Sequence, residues 1–264
     1  MTVVEVLPFL ALGAVAGTLA GLLGIGGGIL IVPGLAFLLG DGTVPAERLM
    51  QFAVGTSLAT IVATALSSIR AHHRRGAVDW PVMARLTPGI VAGALLGAAI
   101  ADLLPTRTLA IVFGVFLLVI SVRLFLPGQP AASRRLPGRA GASAYGAGIG
   151  TLSSLLGIGG GTLSVPLLTW HNMDVRAAVG TASACGLPIA VTGTIGFIVM
   201  GLGTSGLPAG ATGYVYWPAF VAVVPTSMLF APLGARLAHT LPRMMMRRGF
   251  ALFVAIIGIR MLIG

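Results

Sequence analysis

The sequence predicts an all-α polytopic membrane protein made of two inverted repeats. Each repeat is a glycine-broken helical hairpin plus three transmembrane helices, about eight to ten membrane segments in total. Three observations predict this: scarce charge, long charge-free runs and an internal duplication. Charged residues make up 8% of the 264-residue chain and hydrophobic residues 56%, with a mean hydropathy of +1.02. Soluble proteins carry roughly 25% charged residues, and so little charge cannot cover a water-exposed globule. Most cytosolic enzymes are thereby excluded.

The charge-free runs mark the membrane segments in order: 6–40, 49–69, 86–101, 108–122, 140–173 and 177–235. A spanning helix needs about 20 apolar residues. The run 49–69 fits one pass, whereas 177–235 must hold two passes and an uncharged polar loop, Gly201 to Gly213. The run 6–40 as a single helix would extend about 52 Å, well beyond the hydrocarbon core. Its middle, Gly24-Ile-Gly-Gly-Gly28, holds four glycines, and Pro33 follows. Glycine costs about 1 kcal/mol in a helix interior, so the segment should break there and return as a second, shorter helix. The same reasoning applies to 142–170. Trp80, Tyr216 and Trp217 stand where interfacial anchors are expected.

The duplication is explicit. Leu22-Leu-Gly-Ile-Gly-Gly-Gly28 recurs as Leu155-Leu-Gly-Ile-Gly-Gly-Gly161, and Ala53-Val-Gly-Thr56 recurs as Ala178-Val-Gly-Thr181. Pro33 pairs with Pro166, Leu104-Pro105 with Leu241-Pro242, and Val122-Arg123 with Ile259-Arg260. The organisation read from this is an N-terminal repeat over 1–126, a cytoplasmic linker over 127–139 and a C-terminal repeat over 140–264.

Arginine placement selects the inverted arrangement. All sixteen cations are arginine. If each half is a hairpin plus three spans, Arg70, Arg74, Arg75, Arg85, Arg123, Arg134, Arg135, Arg139, Arg176, Arg236, Arg243, Arg247 and Arg248 share the cytoplasmic side. Only Arg48, Arg107 and Arg260 then lie outside. A single crossing at the glycines would spread the arginines almost evenly, against the positive-inside bias. The net charge of +10 therefore faces lipid headgroups, and no nucleic-acid partner is expected. The N-terminus lacks a basic region, so no cleaved signal peptide is expected.

A broken helix inside hydrocarbon exposes main-chain amides, tolerated only where protein or a water-filled cavity satisfies them. The start of each return helix offers free N–H groups and a positive dipole end, which makes an anion site without a charged side chain. The candidate substrate-binding residues are Gly26, Gly27, Gly28, Thr56 and Ser57, with Gly159, Gly160, Gly161, Thr181 and Ser183 in the second half. Against that stands the reading in which the glycines only pack helices and the hydroxyls bond their own helix. Gly89, Gly93 and Gly97, at every fourth position, are read as a packing stripe.

Other chemistries fit less well. Gly203-Thr-Ser-Gly206 resembles a serine-protease loop, but a serine nucleophile needs a positioned base, and His239 sits beside arginines. The lone Cys185 excludes a disulfide framework. No enzyme activity, cofactor or metal is expected. The six acidic residues all fall at run boundaries, whereas a proton-driven pump usually keeps a carboxylate at depth. Coupling then runs through an interfacial acid, a histidine such as His171, or the substrate itself; otherwise transport is facilitated.

The duplicated LLGIGGG…P blocks and the AVGT segments resemble the sulfite exporter TauE/SafE family, also called the toluene sulfonate uptake permease family. So do Arg74-Arg-Gly-Ala-Val-Asp-Trp80, Gly213-Tyr-Val-Tyr-Trp-Pro218 and the stretch Gly234 to Pro242. The resemblance covers nearly the whole chain. It implies a multi-pass transporter in the bacterial inner membrane for small sulfur-containing anions such as sulfite or organosulfonates. The partners expected are that anionic substrate and the lipid bilayer, with a homodimer and proton or ion coupling left open. A passive anion channel, or a transporter of a non-sulfur organic anion, is the alternative.

Overall fold

The computed structural model describes residues 3–23, 27–126, 136–237 and 243–263. The first half of the chain carries α1 (Val3–Leu23), α2 (Gly28–Leu39), α3 (Leu49–Arg74), α4 (Trp80–Leu103) and α5 (Thr106–Phe125). The second carries α6 (Arg139–Leu155), α7 (Gly161–Trp170), α8 (Val175–Gly201), α9 (Trp217–Leu237) and α10 (Arg243–Ile263). Among the described residues five helices, α3, α4, α5, α8 and α9, are long and apolar enough to cross a membrane. The protein is an all-α polytopic membrane protein. A short 3-10 turn, Ala46–Arg48, precedes α3, and a two-residue antiparallel ribbon, β1 (Ala211–Thr212) with β2 (Val215–Tyr216), sits in the loop before α9.

Local chemistry sets the helix ends. Asp79 caps α4 by accepting the Val82 N–H at 3.0 Å, and Asp174 caps α8 through Arg176. The helix α6 stops at a Schellman turn: Gly157 adopts φ +64°, Ile158 N–H reaches Ser153 O, and Gly157 N–H reaches Ser154 O. Glycine is required there because a side chain resists left-handed backbone. The second glycine block therefore interrupts the helix, as expected, and α7 restarts at Gly161. In the first block α1 ends at Leu23 and α2 begins at Gly28, with Gly24 to Gly26 outside the described residues.

The helices pair across the two halves. Along α4 and α6, Gly89 lies against Ser143, Gly93 against Ala147 and Gly97 against Thr151, so the helices run parallel in main-chain contact. The packing stripe read from the sequence is this seam. Its counterpart joins α9 to α1, where Gly13 meets Val223, Gly17 meets Ser227 and Gly21 meets Ala231. Without a hydrophobic force between helices in lipid, close backbone approach is what such seams gain. The central helices α3 and α8 run antiparallel, with Gly55 on Phe197 and Leu58 on Gly193, and Ala77 of the loop after α3 lies on Gly180. The pair α5 and α10 is antiparallel too: Gly114 touches Gly258, Ser121 donates to Ala251 O at 2.8 Å, and Arg247 donates to Leu126 O at 2.7 Å.

This connectivity sorts the charges. Arg48, Arg107 and Arg260 lie at one end of the bundle, and the remaining arginines of the described segments lie at the other. Exposed apolar side chains such as Leu96, Val119, Leu229 and Leu252 cover the flanks between the ends. The helix α3 lies at the centre, with Phe52, Val54 and Leu58 fully buried. Trp80 and Trp217 are partly exposed, as interfacial anchors should be. Tyr216 is not an anchor: it is 4% exposed, because the ribbon folds it inward against α3.

Candidate substrate site at the helix breaks

Both return helices start on glycine with no side-chain cap. Gly27 and Gly160 are the N-cap residues of α2 and α7, each in helical backbone conformation. Main-chain bonds close both turns: Ile31 N–H reaches Gly27 O at 3.0 Å, and Ser164 N–H reaches Gly160 O at 2.8 Å. The amides ahead of these bonds are the donors a helix start leaves free of its own carbonyls.

The fold brings the breaks together. A Cβ on Gly28 would sit 2.6 Å from Gly157 O and 2.9 Å from Ile158 Cα, so the first return helix begins directly on the second break. The Ile61 side chain faces both, 3.1 Å from that position on Gly28 and 3.7 Å from the equivalent position on Gly159. Ser57 donates to Gly157 O at 2.8 Å and ties the break to α3. Gly160 is wedged against the Ala182 carbonyl and Gly186 N of α8, both 2.9 Å from its Cβ position, with Gly161 following as the first residue of α7. Among the described residues Gly27 and Gly159 are open by comparison, each meeting an isoleucine side chain alone. Gly26 lies outside the described residues.

The remaining hydroxyls lie elsewhere. Thr56, fully buried, accepts the main-chain N–H of Tyr216 at 2.9 Å. Thr181, also fully buried, accepts the main-chain N–H of Asp79 at 2.9 Å. These bonds are repeat mates: Asp79 precedes Trp80-Pro81 and Tyr216 precedes Trp217-Pro218, so each threonine holds the start of a helix from the opposite half. Measured along the antiparallel α3 and α8, the two threonines are about 20 Å apart. Ser183 donates to Val179 O, four residues back on its own helix. Thr60 and Thr64 likewise bond within α3.

Sequence reasoning missed two polar features. Among the described residues the buried side-chain oxygens of Ser153, Ser154 and Ser164, which flank the second break, have no hydrogen-bond partner. The aligned positions of the first half hold Ala20, Gly21 and Ile31, and that asymmetry is the signal that could have exposed them. At the arginine-poor end, Arg48 pairs with Asp102 at 3.3 Å and donates to its main-chain carbonyl at 2.7 Å. Tyr214 donates to the same carboxylate at 2.7 Å and accepts from Thr204 at 3.1 Å. These groups line an open cavity of about 410 Å3. Among the described residues no cluster of three His, Cys, Asp or Glu side chains could hold a metal.

Helices broken inside a bundle with lipid-facing flanks and ends sorted by charge define a polytopic membrane transporter. The model for the family described as sulfite exporter TauE/SafE matches residues 9–261, and the chain belongs to that family. A probable membrane transporter protein of Haemophilus influenzae is 36% identical over 255 residues, covering 96% of each chain. YunE of Bacillus subtilis, also named a probable membrane transporter protein, is 29% identical over 85% of each. A third of that description, from Methanocaldococcus jannaschii, is 29% identical over 85% of this chain and 81% of its own. No solved structure matches the chain.

Proposed function

We propose that the protein is a secondary transporter in the bacterial inner membrane. In this reading it moves small sulfur-containing anions, sulfite or an organosulfonate, by alternating access between two inverted repeats. The observation that carries the proposal is the meeting of two uncapped helix starts at Ile61, with Gly28 seated on the Gly157-Ile158 backbone. Free amides and the positive ends of α2 and α7 suit an oxyanion, and Gly27 and Gly159 leave room for it to approach the main chain. The unpartnered Ser153, Ser154 and Ser164 hydroxyls around the second break add donors nearby. The sulfur-containing class rests on the family description.

The inverted arrangement is supported by the helix pairs. Under the repeat, α4 with α6 maps onto α9 with α1, and both pairs are parallel. The self-mapping pairs α3 with α8 and α5 with α10 are both antiparallel, as a two-fold axis lying in the membrane plane requires. Positive-inside sidedness then places the arginine-rich end in the cytoplasm.

The test is counterflow of labelled sulfite and sulfoacetate in proteoliposomes, with and without a pH gradient. Saturable exchange is expected, lost in Gly27→Val and Gly159→Val proteins that still fold. Wild-type exchange by both variants would remove the main-chain amides from the mechanism, and flux without saturation or counterflow would make the protein a channel.

A further inference from the structure

A second cavity, of about 610 Å3, opens at the arginine-rich end between the first turns of α4 and α6. It lies at the end of the parallel seam marked by Gly89 on Ser143 and Gly146 on the Leu86 carbonyl. Its walls are Pro81, Ala84, Arg85 and Pro88 of α4, with Arg139 and Ser143 of α6. Both guanidiniums are exposed and without an ion-pair or hydrogen-bond partner among the described residues. The nearby Asp79 carboxylate is engaged as the cap of α4. Gly138, the N-cap of α6, offers no side-chain acceptor, so the positive end of a 17-residue helix faces the same space. Nothing in the described lining carries negative charge.

The apolar half of the cavity decides what kind of anion fits. Pro81, Ala84 and Pro88 lie on the exposed face of α4, and the same face continues through Ala92, Leu95 and Leu96 along the flank of the bundle. Trp80, 42% exposed, sits at the same end as an interfacial anchor would. A free inorganic anion gains nothing from that stripe, whereas a lipid lays its acyl chain on the stripe and its phosphate between the arginines. Basic pockets between membrane helices hold anionic headgroups in this way. We propose that the cavity between Arg85 and Arg139 is a binding site for the phosphate headgroup of an anionic phospholipid, in the leaflet at the arginine-rich end.

Native mass spectrometry of the purified full-length chain, titrated with phosphatidylglycerol or phosphatidylcholine, tests this. The R85A/R139A variant should retain phosphatidylglycerol about tenfold to thirtyfold more weakly, because each arginine near the headgroup contributes about a fivefold factor. Phosphatidylcholine retention should not change. The R74A/R75A variant removes the same charge from the same end outside the cavity and should bind phosphatidylglycerol like the wild type. Unchanged phosphatidylglycerol retention in R85A/R139A overturns the proposal, and so does an equal loss in both variants, which would mean diffuse attraction. Displacement of the lipid by millimolar inorganic phosphate or sulfite would make the cavity a soluble-anion site and overturn it as well.

Discussion

Ser57 of α3 donates its hydroxyl to the Gly157 carbonyl at 2.8 Å, so a span of the first repeat holds open the helix break of the second. Both groups are buried, and Ala182 stands at the Ser57 position of the other repeat, so the tie is made once. Ser57→Ala leaves the carbonyl unpaired, a loss of about 1–3 kcal/mol. A lower melting temperature in detergent is expected together with slower anion exchange, because the backbone of the break is then free to shift. An unchanged melting temperature would show that Gly157 is satisfied by other means.

Thr56 and Thr181 make the same bond in opposite repeats, but in different surroundings. Tyr216 is buried, whereas Asp79 is only partly so. Losing the acceptor strands an amide, which costs more where water cannot replace it. Thr56→Val should therefore destabilise by about 1–3 kcal/mol and Thr181→Val by less. Thr→Ser at either position should retain most stability, because the accepting oxygen remains. At about 20 Å separation the two losses should add within about 0.5 kcal/mol in the double variant, read by thermal unfolding.

How legible this was depended on the range of the interaction. The breaks could be read because glycine and proline act on their own turn, and Gly157 at φ +64° shows that effect directly. The stripe Gly89, Gly93, Gly97 announced a close helix neighbour, but nothing in its spacing named α6, which lies across the linker. Tyr216 looked like an interfacial anchor from its Trp neighbour, yet its amide is held by Thr56, 160 residues away, and the ring goes inward. The two-residue strands at 211–216 are too short for any alternation to register. The duplication points only to residues that both halves share, and Ser153, Ser154 and Ser164 face Ala20, Gly21 and Ile31 in the alignment.

The glycines of the second block should separate by what surrounds them. Gly157→Ala forces a side chain into left-handed backbone and sets its Cβ 3.0 Å from Val54 Cα, and Gly160→Ala presses on two main-chain atoms of α8, each at 2.9 Å. Each should cost about 2 kcal/mol or more and reduce the yield of folded protein. Gly159→Ala meets only a methyl of Ile61 at 3.7 Å and should melt like the wild type. Its anion exchange should nevertheless fall if the amides at this turn contact the substrate. Fluorescence-detected size exclusion with melting curves reads the first difference, and counterflow reads the second.

Tyr214, in the α8–α9 loop outside the spanning helices, donates to Asp102 near the C-terminal end of α4, at the arginine-poor end. Burial pushes its phenol above the ordinary range; the bond from Thr204 and the charge of Arg48 pull the other way, while Asp102 adds to the rise. A folded-state pKa above the unfolded one favours the neutral phenol in the native protein. Its contribution is thus fully present below the ordinary tyrosine value of about 10 and is lost as pH climbs through the raised folded value. Wild-type melting temperature should therefore drop more steeply than that of Tyr214→Phe above about pH 10. Below that pH the phenylalanine variant should be the less stable by about 1 kcal/mol, the worth of a hydrogen bond at a partly open site. Parallel pH slopes for the two proteins in the alkaline range would show that the folded surroundings do not favour the neutral Tyr214 phenol.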